Sequence, residues 1–217
     1  MHASAANGAC PITDGHRWRI GLGEDRFTSP LGRRDAPHVN ADPFDLVSFW
    51  KQAGTAKWFS RDDAFDAALR ERYAAAHHAA ARRELDGWRG TADGSLALVL
   101  LLDQIPRNLF RNSAHAFATD GLAREVASAA VDAGRDRAVD RDLRLFFYMP
   151  FEHSEAIADQ DRSLALFEAM GDDYYLKYAT AHRDVIVRFG RFPHRNATLG
   201  RASTADEQAW LDAGGGF

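Results

Sequence analysis

The chain has only one cysteine and no long apolar run, and these two features exclude several classes of protein. Its one cysteine, Cys10, excludes an internal disulfide and a zinc site built from cysteines. No stretch approaches the roughly 18–20 consecutive apolar residues of a membrane-spanning helix. Residues 1–20 also lack the apolar centre of a secretory signal. These absences predict a soluble cytoplasmic protein with no membrane partner.

A strong excess of basic charge is also missing. The formal net charge is −4 and the pI is near 6.1, which argues against nucleic acid as an obligate partner. Gly21, Gly23 and Gly32 form no phosphate-binding loop, because no strand precedes them and the lysine of that motif is missing. The sequence therefore points away from nucleic-acid binding.

The chain does have enough apolar content for one core. With 217 residues, of which 46% are hydrophobic, a sizeable core can form and a second domain is not required. Residues 1–41 are rich in Gly, Pro, Ser, Asn and Arg and show neither helical nor strand periodicity. We expect residues 1–41 to be a poorly ordered extension and residues 42–217 to form one helical domain.

Helix signals begin at Asp42. This residue is a good N-cap with Pro43 at the first helical position, and residues 60–63 (SRDD) match a capping box that opens a long helix. His77 and His78 lie in the alanine-rich part of that helix. Because adjacent positions on a helix point about 100° apart, we expect both histidines on the exposed surface rather than in a metal chelate.

The rest of the chain continues this helical pattern. Residues 96–102 (LALVLLL) are apolar on all sides, which predicts a helix buried at the centre of the fold. Pro150 is expected to interrupt a later helix, and residues 204–207 match a second capping box. Three more caps are predicted, at Asp93, Asp120 and Asp140. Since no segment alternates like a strand, the sequence predicts an all-α single-domain bundle or superhelix of about seven or eight helices.

Residues 103–111, the first polar segment, follow directly after the buried helix. Polar groups at such a position are costly unless they are paired. If the helix continues past Pro106, Arg107 and Arg111 lie one turn apart and could hold an anion. The alternative is a buried ion-pair network in which Asp103 and the arginines tie helix ends together.

Residues 152–160, the second polar segment, are expected to form part of a helix. Their carboxylates fall on one face: Glu152, Glu155 and Asp159. Carboxylates so placed raise one another's pKa, which suits acid–base catalysis or a hard cation. The paired histidines of zinc-protease helices and the Glu-x-x-His pair of di-iron proteins are missing, so no metal site and no cofactor is predicted.

Residues 182–196, the third polar segment, begin as a helix and stop at a Gly-x-x-Pro break. Gly190 suits the left-handed position that ends a helix, and Pro193 prevents the helix from resuming. This segment is the most basic part of the chain. Phe189 and Phe192 are expected to wall a cleft beside its arginines.

Together the three polar segments predict a cleft that binds an anionic group and moves a proton. The candidate acid–base residues are His153, Glu155 and His194. The residues predicted to bind the ligand are Asp103, Gln104, Arg107, Asn108, Arg111, Asp159, Gln160, His182, Arg183, Arg191, Arg195 and Asn196. The alternative is that the arginines only neutralise the carboxylates of the second polar segment.

These segments, in this order, resemble the bacterial family known as domain of unknown function 924. The resemblance lies in residues 57–59 (KWF), 100–108 (LLLDQIPRN), 117–120 (FATD), 147–155 (FYMPFEHSE) with Asp159 and Gln160, and 182–196 (HRDVIVRFGRFPHRN). It covers about residues 43–217. The resemblance implies an all-α fold of the tetratricopeptide-like helical superfamily, and it implies no activity.

Two classes of function fit these observations. In the first, the protein is an enzyme or a binding protein with one cleft, and its partner is an anionic small molecule. In the second, it is a helical scaffold that binds a peptide or protein partner in a groove, with the polar clusters as internal struts. Convergence of the three polar segments on one open pocket favours the first class. Complete mutual pairing inside the core favours the second.

Overall fold

The structure is a computed structural model that describes residues 41–217. These residues belong to one compact unit, and their regular secondary structure is helical with no strand, which confirms the all-α prediction. Within the same range, no helix is both long enough and apolar enough to cross a membrane. The predicted extension, residues 1–41, lies outside the described residues apart from Ala41.

Ten α-helices occur in the described part of the chain, and eight of them have at least eight residues, as the sequence predicts. Their bounds are α1 (Pro43–Ala53), α2 (Thr55–Trp58), α3 (Asp63–Ala81), α4 (Ala92–Val99), α5 (Ile105–Leu109), α6 (Asp120–Asp132), α7 (Arg141–Glu152), α8 (Ile157–Met170), α9 (Asp173–Phe189) and α10 (Ala205–Asp212).

Two of the predicted helix starts are confirmed by their hydrogen bonds. Asp42 caps α1, since its carboxylate accepts from the backbone N–H of Phe44 at 3.2 Å. Thr204 and Glu207 form the reciprocal capping box of α10, in which each side chain accepts from the other residue's backbone N–H.

Two other predicted helix starts are misplaced. Asp62, rather than Ser60, caps α3, because its carboxylate reaches the backbone N–H groups of the residues two and three positions later. Thr91, rather than Asp93, caps α4. In each case two capping residues lie close together in the sequence, and the pattern alone cannot tell which side chain turns back onto the backbone.

Asp120 and Asp140 do stand where helices begin, but neither makes the expected capping hydrogen bond. The carboxylate of Asp120 instead pairs with Arg107, and that of Asp140 pairs with Lys51. The ion pair with Arg107 matters for the site described below.

The predicted burial of the central helix is confirmed. α4 packs against α1, α6 and α7, and residues 96–102 are all buried. Beside it, the ring of Phe146 packs edge to face against two indoles, with its centroid 5.5 Å from that of Trp50 and 5.0 Å from that of Trp58. Edge-to-face contacts of this kind add to the free energy gained from burying the rings.

A π-helical turn, Leu100–Gln104, joins α4 to α5. Pro106 has no N–H to donate to the preceding turn, so the carbonyls of Leu101 and Leu102 need other partners. The Nδ1 of His77 lies 2.8 Å from the oxygen of Leu101, and the hydroxyl of Thr119 donates to that of Leu102 at 2.5 Å. The turn is therefore held by side chains from α3 and from the residue before α6.

This contact overturns the prediction that both His77 and His78 lie on the surface. His78 is exposed, but His77 is buried, and its ring forms a hydrogen bond with the backbone carbonyl of Leu101. Burial lowers the pKa of His77, so the ring is neutral near pH 7 and its Nδ1–H donates to that carbonyl.

Replacing Leu101, which is fully buried in the π-helical turn that continues α4, tests the central position of the buried run at residues 96–102. We expect Leu101→Ala to lower the free energy of unfolding by about 2–5 kcal/mol, because the lost methyl groups leave a cavity in a packed core. Val187→Ala, on the exposed face of α9, is the matched control and should change it by less than about 0.5 kcal/mol. Urea unfolding measures the free energy of unfolding of both variants. Equal losses in Leu101→Ala and Val187→Ala would contradict the central, buried position of residues 96–102.

Candidate functional site

The three polar segments converge on one cavity of about 820 Å³. Eight of the fifteen predicted site residues line it: Gln104, Arg107, Asn108, Arg111, His153, His182, His194 and Arg195. The volume is within the range of small-molecule sites, roughly 300–1,000 Å³. The other seven predicted residues lie behind the wall or elsewhere on the protein.

Asp103 lies directly behind the cavity wall and is completely buried. Its carboxylate is 2.7 Å from Nδ1 of His153, 3.2 Å from Nη1 of Arg107 and 2.5 Å from the amide nitrogen of Gln104. Burial alone would raise the pKa of Asp103, but the charge of Arg107 and the contact with His153 outweigh it and hold the pKa below its usual range. Asp103 is therefore ionised and joins the first polar segment to the second.

Arg107 is held by two carboxylates. Besides Asp103, it makes a bidentate pair with Asp120, with both N···O distances near 3 Å (2.9 and 3.0 Å). Its Nη1 also donates to the backbone oxygen of Asp103 at 2.6 Å. With these contacts Arg107 is neutralised, although its side chain still faces the cavity.

Arg195 is much less completely neutralised. Its nearest carboxylate oxygen, on Asp120, is 3.8 Å away, and that carboxylate already holds Arg107. The guanidinium lies between the rings of Phe117 and Phe192, 4.7 and 4.4 Å from their centroids, and donates to the backbone oxygen of His153 at 3.0 Å. Its buried Nε has no partner within the described residues. Burial and the neighbouring charge of Arg107 lower the pKa of Arg195 to about 10.

His153 is a neutral ring with one free acceptor. Burial, followed by the positive charge of Arg107, lowers the pKa of His153 although Asp103 acts in the opposite direction. Because ionised Asp103 can only accept, Nδ1 of His153 must carry the proton. Nε2 makes no hydrogen bond within the described part of the chain, so the cavity contains an imidazole that can accept a proton.

His182 has a similar arrangement. Its Nδ1 is 2.8 Å from a carboxylate oxygen of Glu152 and 2.9 Å from the backbone oxygen of Tyr178. A carbonyl can only accept, so Nδ1 carries the proton here as well. The His182 and His153 rings lie 6.3 Å apart between centroids. Two imidazoles, each with a carboxylate at Nδ1, therefore share one cavity.

His194 differs because its Nδ1 is buried without a partner in the described residues. Burial, together with the positive charge of Arg195, lowers the pKa of His194 to about 4. The ring is therefore uncharged at neutral pH and does not add to the positive potential of the cavity.

Asn108 and Arg111 form the far end of the polar wall. Both donate to Asp66 on α3, with Arg111 making two contacts of 2.5 and 2.9 Å and Asn108 one of 2.7 Å. This pairing lowers the pKa of Asp66 against the opposing effect of burial and raises that of Arg111. Arg111, whose side chain is partly exposed, is thus paired with a carboxylate of α3 and not with Asp103, so the network predicted for the first polar segment includes Arg107 but not Arg111.

The second polar segment is not one helix, so its carboxylates do not share a face. α7 continues through Pro150 to Glu152, contrary to the predicted interruption. The helical structure is then broken until α8 begins at Ile157. Gln160 is buried beneath this break, where its amide donates to the backbone oxygens of Glu152 at 2.7 Å and Ser154 at 2.6 Å. It therefore shapes the break and does not line the cavity.

Glu155 and Asp159 are separated from His153 by this break. Glu155 accepts two hydrogen bonds from Arg201, at 2.8 and 2.9 Å, and one from the backbone N–H of Phe192. Burial would raise the pKa of Glu155, but Arg201 holds it below its usual range, so the expected raising of the Glu155 pKa does not occur. Asp159 accepts from Ser154 and lies 3.3 Å from Arg124. Glu155 is thus not an acid–base partner for His153.

The other residues of the third polar segment also point elsewhere. Arg191 pairs with Glu207 at 2.6 Å and 2.7 Å, and Arg183 pairs with Asp161. Asn196 is buried between Ser203 and Glu207. None of the three predicted ligand-binding residues lines the cavity.

The predicted phenylalanine walls are also wrong. Phe189 packs against Trp210, and Phe192 is fully buried behind Arg195. The aromatic wall instead comes from other parts of the chain: Trp58, Phe59, Phe117, Phe167, Tyr174, Tyr175, Tyr178 and Phe217. Part of this wall has a sequence signal, since Tyr174, Tyr178 and His182 follow one another at intervals of four along α9 and so share a face.

Within residues 41–217, no group of three or more His, Cys, Asp or Glu side chains is arranged to hold a metal ion. The cavity instead combines a polar wall, in which one guanidinium is incompletely neutralised, with an aromatic wall. Such a surface can hold an anionic group at one end and a flat or apolar group at the other.

The state of His194 predicts a specific dependence of stability on pH. Because its pKa falls to about 4 on folding, the unfolded chain takes up a proton first as the pH drops below about 6.5, so stability is lost between those values. Relative to His194→Gln, we expect the wild type to lose on the order of 2–3 kcal/mol of unfolding free energy between pH 7 and pH 4. Urea titrations at each pH measure this difference, with His78→Gln as the control for an exposed histidine. Parallel pH profiles of the wild type and His194→Gln would refute the assignment.

Comparison with known proteins supports the family indicated by the sequence. The model of the family described as bacterial protein of unknown function (DUF924) matches residues 46–215. A solved structure of a protein of unknown function from Agrobacterium tumefaciens is similar, with 54% sequence identity and a TM-score of 0.77, over 79% of this chain and 97% of the other. Among curated proteins, none matches. The chain therefore belongs to the bacterial DUF924 family.

Proposed function

We propose that the cavity binds an anionic small molecule and that Arg195 is the group that recognises its charge. The observation that carries this proposal is the incomplete neutralisation of Arg195, which lies in the cavity wall. Among residues 41–217 its Nε has no hydrogen-bond partner and its nearest carboxylate oxygen is 3.8 Å away. A buried guanidinium without a close counter-charge is costly. An anion in the cavity removes that cost, so binding and the stability of the protein are coupled.

The neighbouring arginines contribute less to this recognition. Arg107 is neutralised by Asp103 and Asp120, and Arg111 by Asp66. Because a neutralised arginine has little charge left for a ligand, these residues shape and polarise the wall without providing the main attraction. Arg191, another of the predicted ligand-binding residues, has no part in this recognition, since its side chain is held by Glu207 outside the cavity.

His153 gives the site a group that can exchange a proton with the ligand. Its Nε2 is the open acceptor, while Nδ1 is fixed by the ionised carboxylate of Asp103 at 2.7 Å. A neutral imidazole oriented through Nδ1 by a carboxylate is suited to act as a general base. We therefore place the acid–base role on His153 and Asp103 instead of on His153 and Glu155.

A protein or peptide partner is the second candidate, and a separate observation favours it. The aromatic residues Phe59, Tyr174 and Tyr178 line the cavity and are substantially exposed, and such residues are enriched in protein interfaces. A partner held by this rim would keep its affinity in Arg195→Met and lose it in Tyr174→Ala. The opposite result would favour the anionic small molecule.

A thermal-shift screen with inorganic phosphate and a set of small carboxylates tests the first proposal. At a concentration about 100 times its dissociation constant, a ligand adds about 2.7 kcal/mol, which for a domain of this size raises the melting temperature by roughly 5–10 °C. In Arg195→Met we expect this shift to fall by more than half, since the charge is removed while the apolar stem is kept.

Arg191→Ala is the matched control, because it removes an arginine of the same segment that does not line the cavity. Its melting temperature should fall as the pair with Glu207 is lost, while the ligand-induced shift stays as in the wild type. An equal ligand-induced shift in Arg195→Met and the wild type would refute the role of Arg195.

The proposed role of His153 predicts its protonation state. Two-dimensional ¹⁵N NMR of the imidazole rings should show His153 protonated at Nδ1 and unprotonated at Nε2 at pH 7. Because Asp103 raises the pKa of His153, Asp103→Asn should lower that pKa further. A doubly protonated ring at pH 7, or a proton on Nε2 alone, would exclude His153 as a base.

A further inference from the structure

The segment that follows α10 places an aromatic ring in the cavity. Residues 214–217 (GGGF) turn back after the helix, with the backbone N–H of Gly214 bonded to the oxygen of Leu211 and that of Gly215 to the oxygen of Trp210, both at 2.9 Å. Phe217, at the end of this segment, lines the cavity.

Each glycine of the segment is required by its position. Gly214 and Gly216 have φ angles of 85° and 143°, which other residues rarely adopt. At Gly215 a Cβ atom would lie 2.3 Å from the indole of Trp210, so no side chain fits there. Three consecutive glycines with three separate constraints define a path for the backbone, and that path directs Phe217 towards His182.

The Phe217 ring lies flat on the ring of His182. The two centroids are 3.6 Å apart and the planes differ by 13°. Phe192 and His194 contact the Phe217 ring edge-on, with centroids 6.2 and 5.8 Å from its centroid and interplanar angles of 90° and 82°. We call this place on the face of His182 the ring site. It is bounded by aromatic groups and fits a planar ring.

Phe217 nevertheless remains 55% exposed. The closest of its three ring contacts is the stack on His182, and a single aromatic pair changes an equilibrium constant by only about two- to tenfold. Another planar ring can therefore replace it. Phe217 occupies the ring site but does not close it.

The ring site lies close to the charge-recognising end of the cavity. The His182 ring is 6.3 Å from the His153 ring, and the backbone oxygen of His153 holds Arg195 at 3.0 Å. A ligand that fills both places needs a flat ring and an anionic group separated by a short link. A carboxylate matches the planar fork of a guanidinium.

We propose that the ligand of this cavity is an aromatic carboxylate whose ring takes the place of Phe217 on His182. This inference rests on the proposed binding of an anion at Arg195 and adds the chemical class of the ligand. It also assigns a role to Phe217, which competes with the ligand and lowers its apparent affinity by the strength of the stack.

Calorimetric titration of the full chain with phenylacetate, cyclohexylacetate and acetate tests the proposal. Phenylacetate should bind more tightly than cyclohexylacetate, whose ring is not flat, and both more tightly than acetate. In Phe217→Ala, phenylacetate should bind about two- to tenfold more tightly, because no ring has to be displaced. Phe44→Ala, which removes an exposed phenylalanine on α1 outside the cavity, should leave the affinity unchanged.

NMR of the His182 ring protons provides a readout that needs no ligand. In the wild type these protons should be shifted upfield by the ring current of Phe217, and Phe217→Ala should move them downfield. Adding phenylacetate to Phe217→Ala should restore the upfield shift. If Phe217→Ala leaves the His182 signals in place, or does not tighten phenylacetate binding, the inference is wrong.

The outcomes separate this inference from the proposed function. If inorganic phosphate or acetate binds in an Arg195-dependent way while phenylacetate gains nothing from its ring, the anion site stands and the ring site fails. If no anion binds to the wild type or to Phe217→Ala, both proposals fail together. An ordering of phenylacetate over cyclohexylacetate that disappears in Arg195→Met supports both.

Discussion

The burial of one carboxylate, Asp103, determines how the polar parts of this protein are arranged. A charged group with no exposed surface is tolerated only when several donors surround it. Arg107 and Gln104 come from the same stretch of chain, but His153 comes from the end of α7. The backbone oxygen of His153 then holds Arg195. A single buried charge thus brings three distant parts of the sequence to one wall.

The same wall combines structural ion pairs with the proposed binding site. Arg107 and Arg111 are fully paired with carboxylates, so they stabilise the fold and keep the wall rigid. Arg195 shares Asp120 with Arg107 and receives only a distant contact. Because Arg195 has no carboxylate close to it, an anionic ligand bound beside it would raise the free energy of unfolding of the protein. Under this proposal, the ion-pair interpretation applies to Arg107 and Arg111, and the anion-binding interpretation applies to Arg195.

Much of the fold could be predicted from the sequence, because caps and apolar periodicity are local signals. Asp42, Thr204 and the buried run of α4 are examples. The site was harder to predict from the sequence, because the partner of each charged side chain is set by tertiary contacts. Nothing in the local sequence distinguishes Arg191, which is held by Glu207, from Arg195, which faces the cavity. The aromatic wall was equally hard to predict, because an aromatic face on a helix, such as that of Tyr174 and Tyr178, looks the same in the sequence whether it packs on protein or lines a cavity.

The π-helical turn before Pro106 also changes the helical phase. An α-helix advances by about 100° per residue, and a π-turn accommodates one extra residue without lengthening the helix by a full turn. Upstream of the turn the helix directs leucines into the core, and downstream α5 presents Arg107 and Asn108 to the cavity. Without the extra residue, these side chains would be rotated by more than a quarter of a turn. The direction in which these side chains face the cavity therefore depends on the one residue that the π-helical turn inserts into the helix.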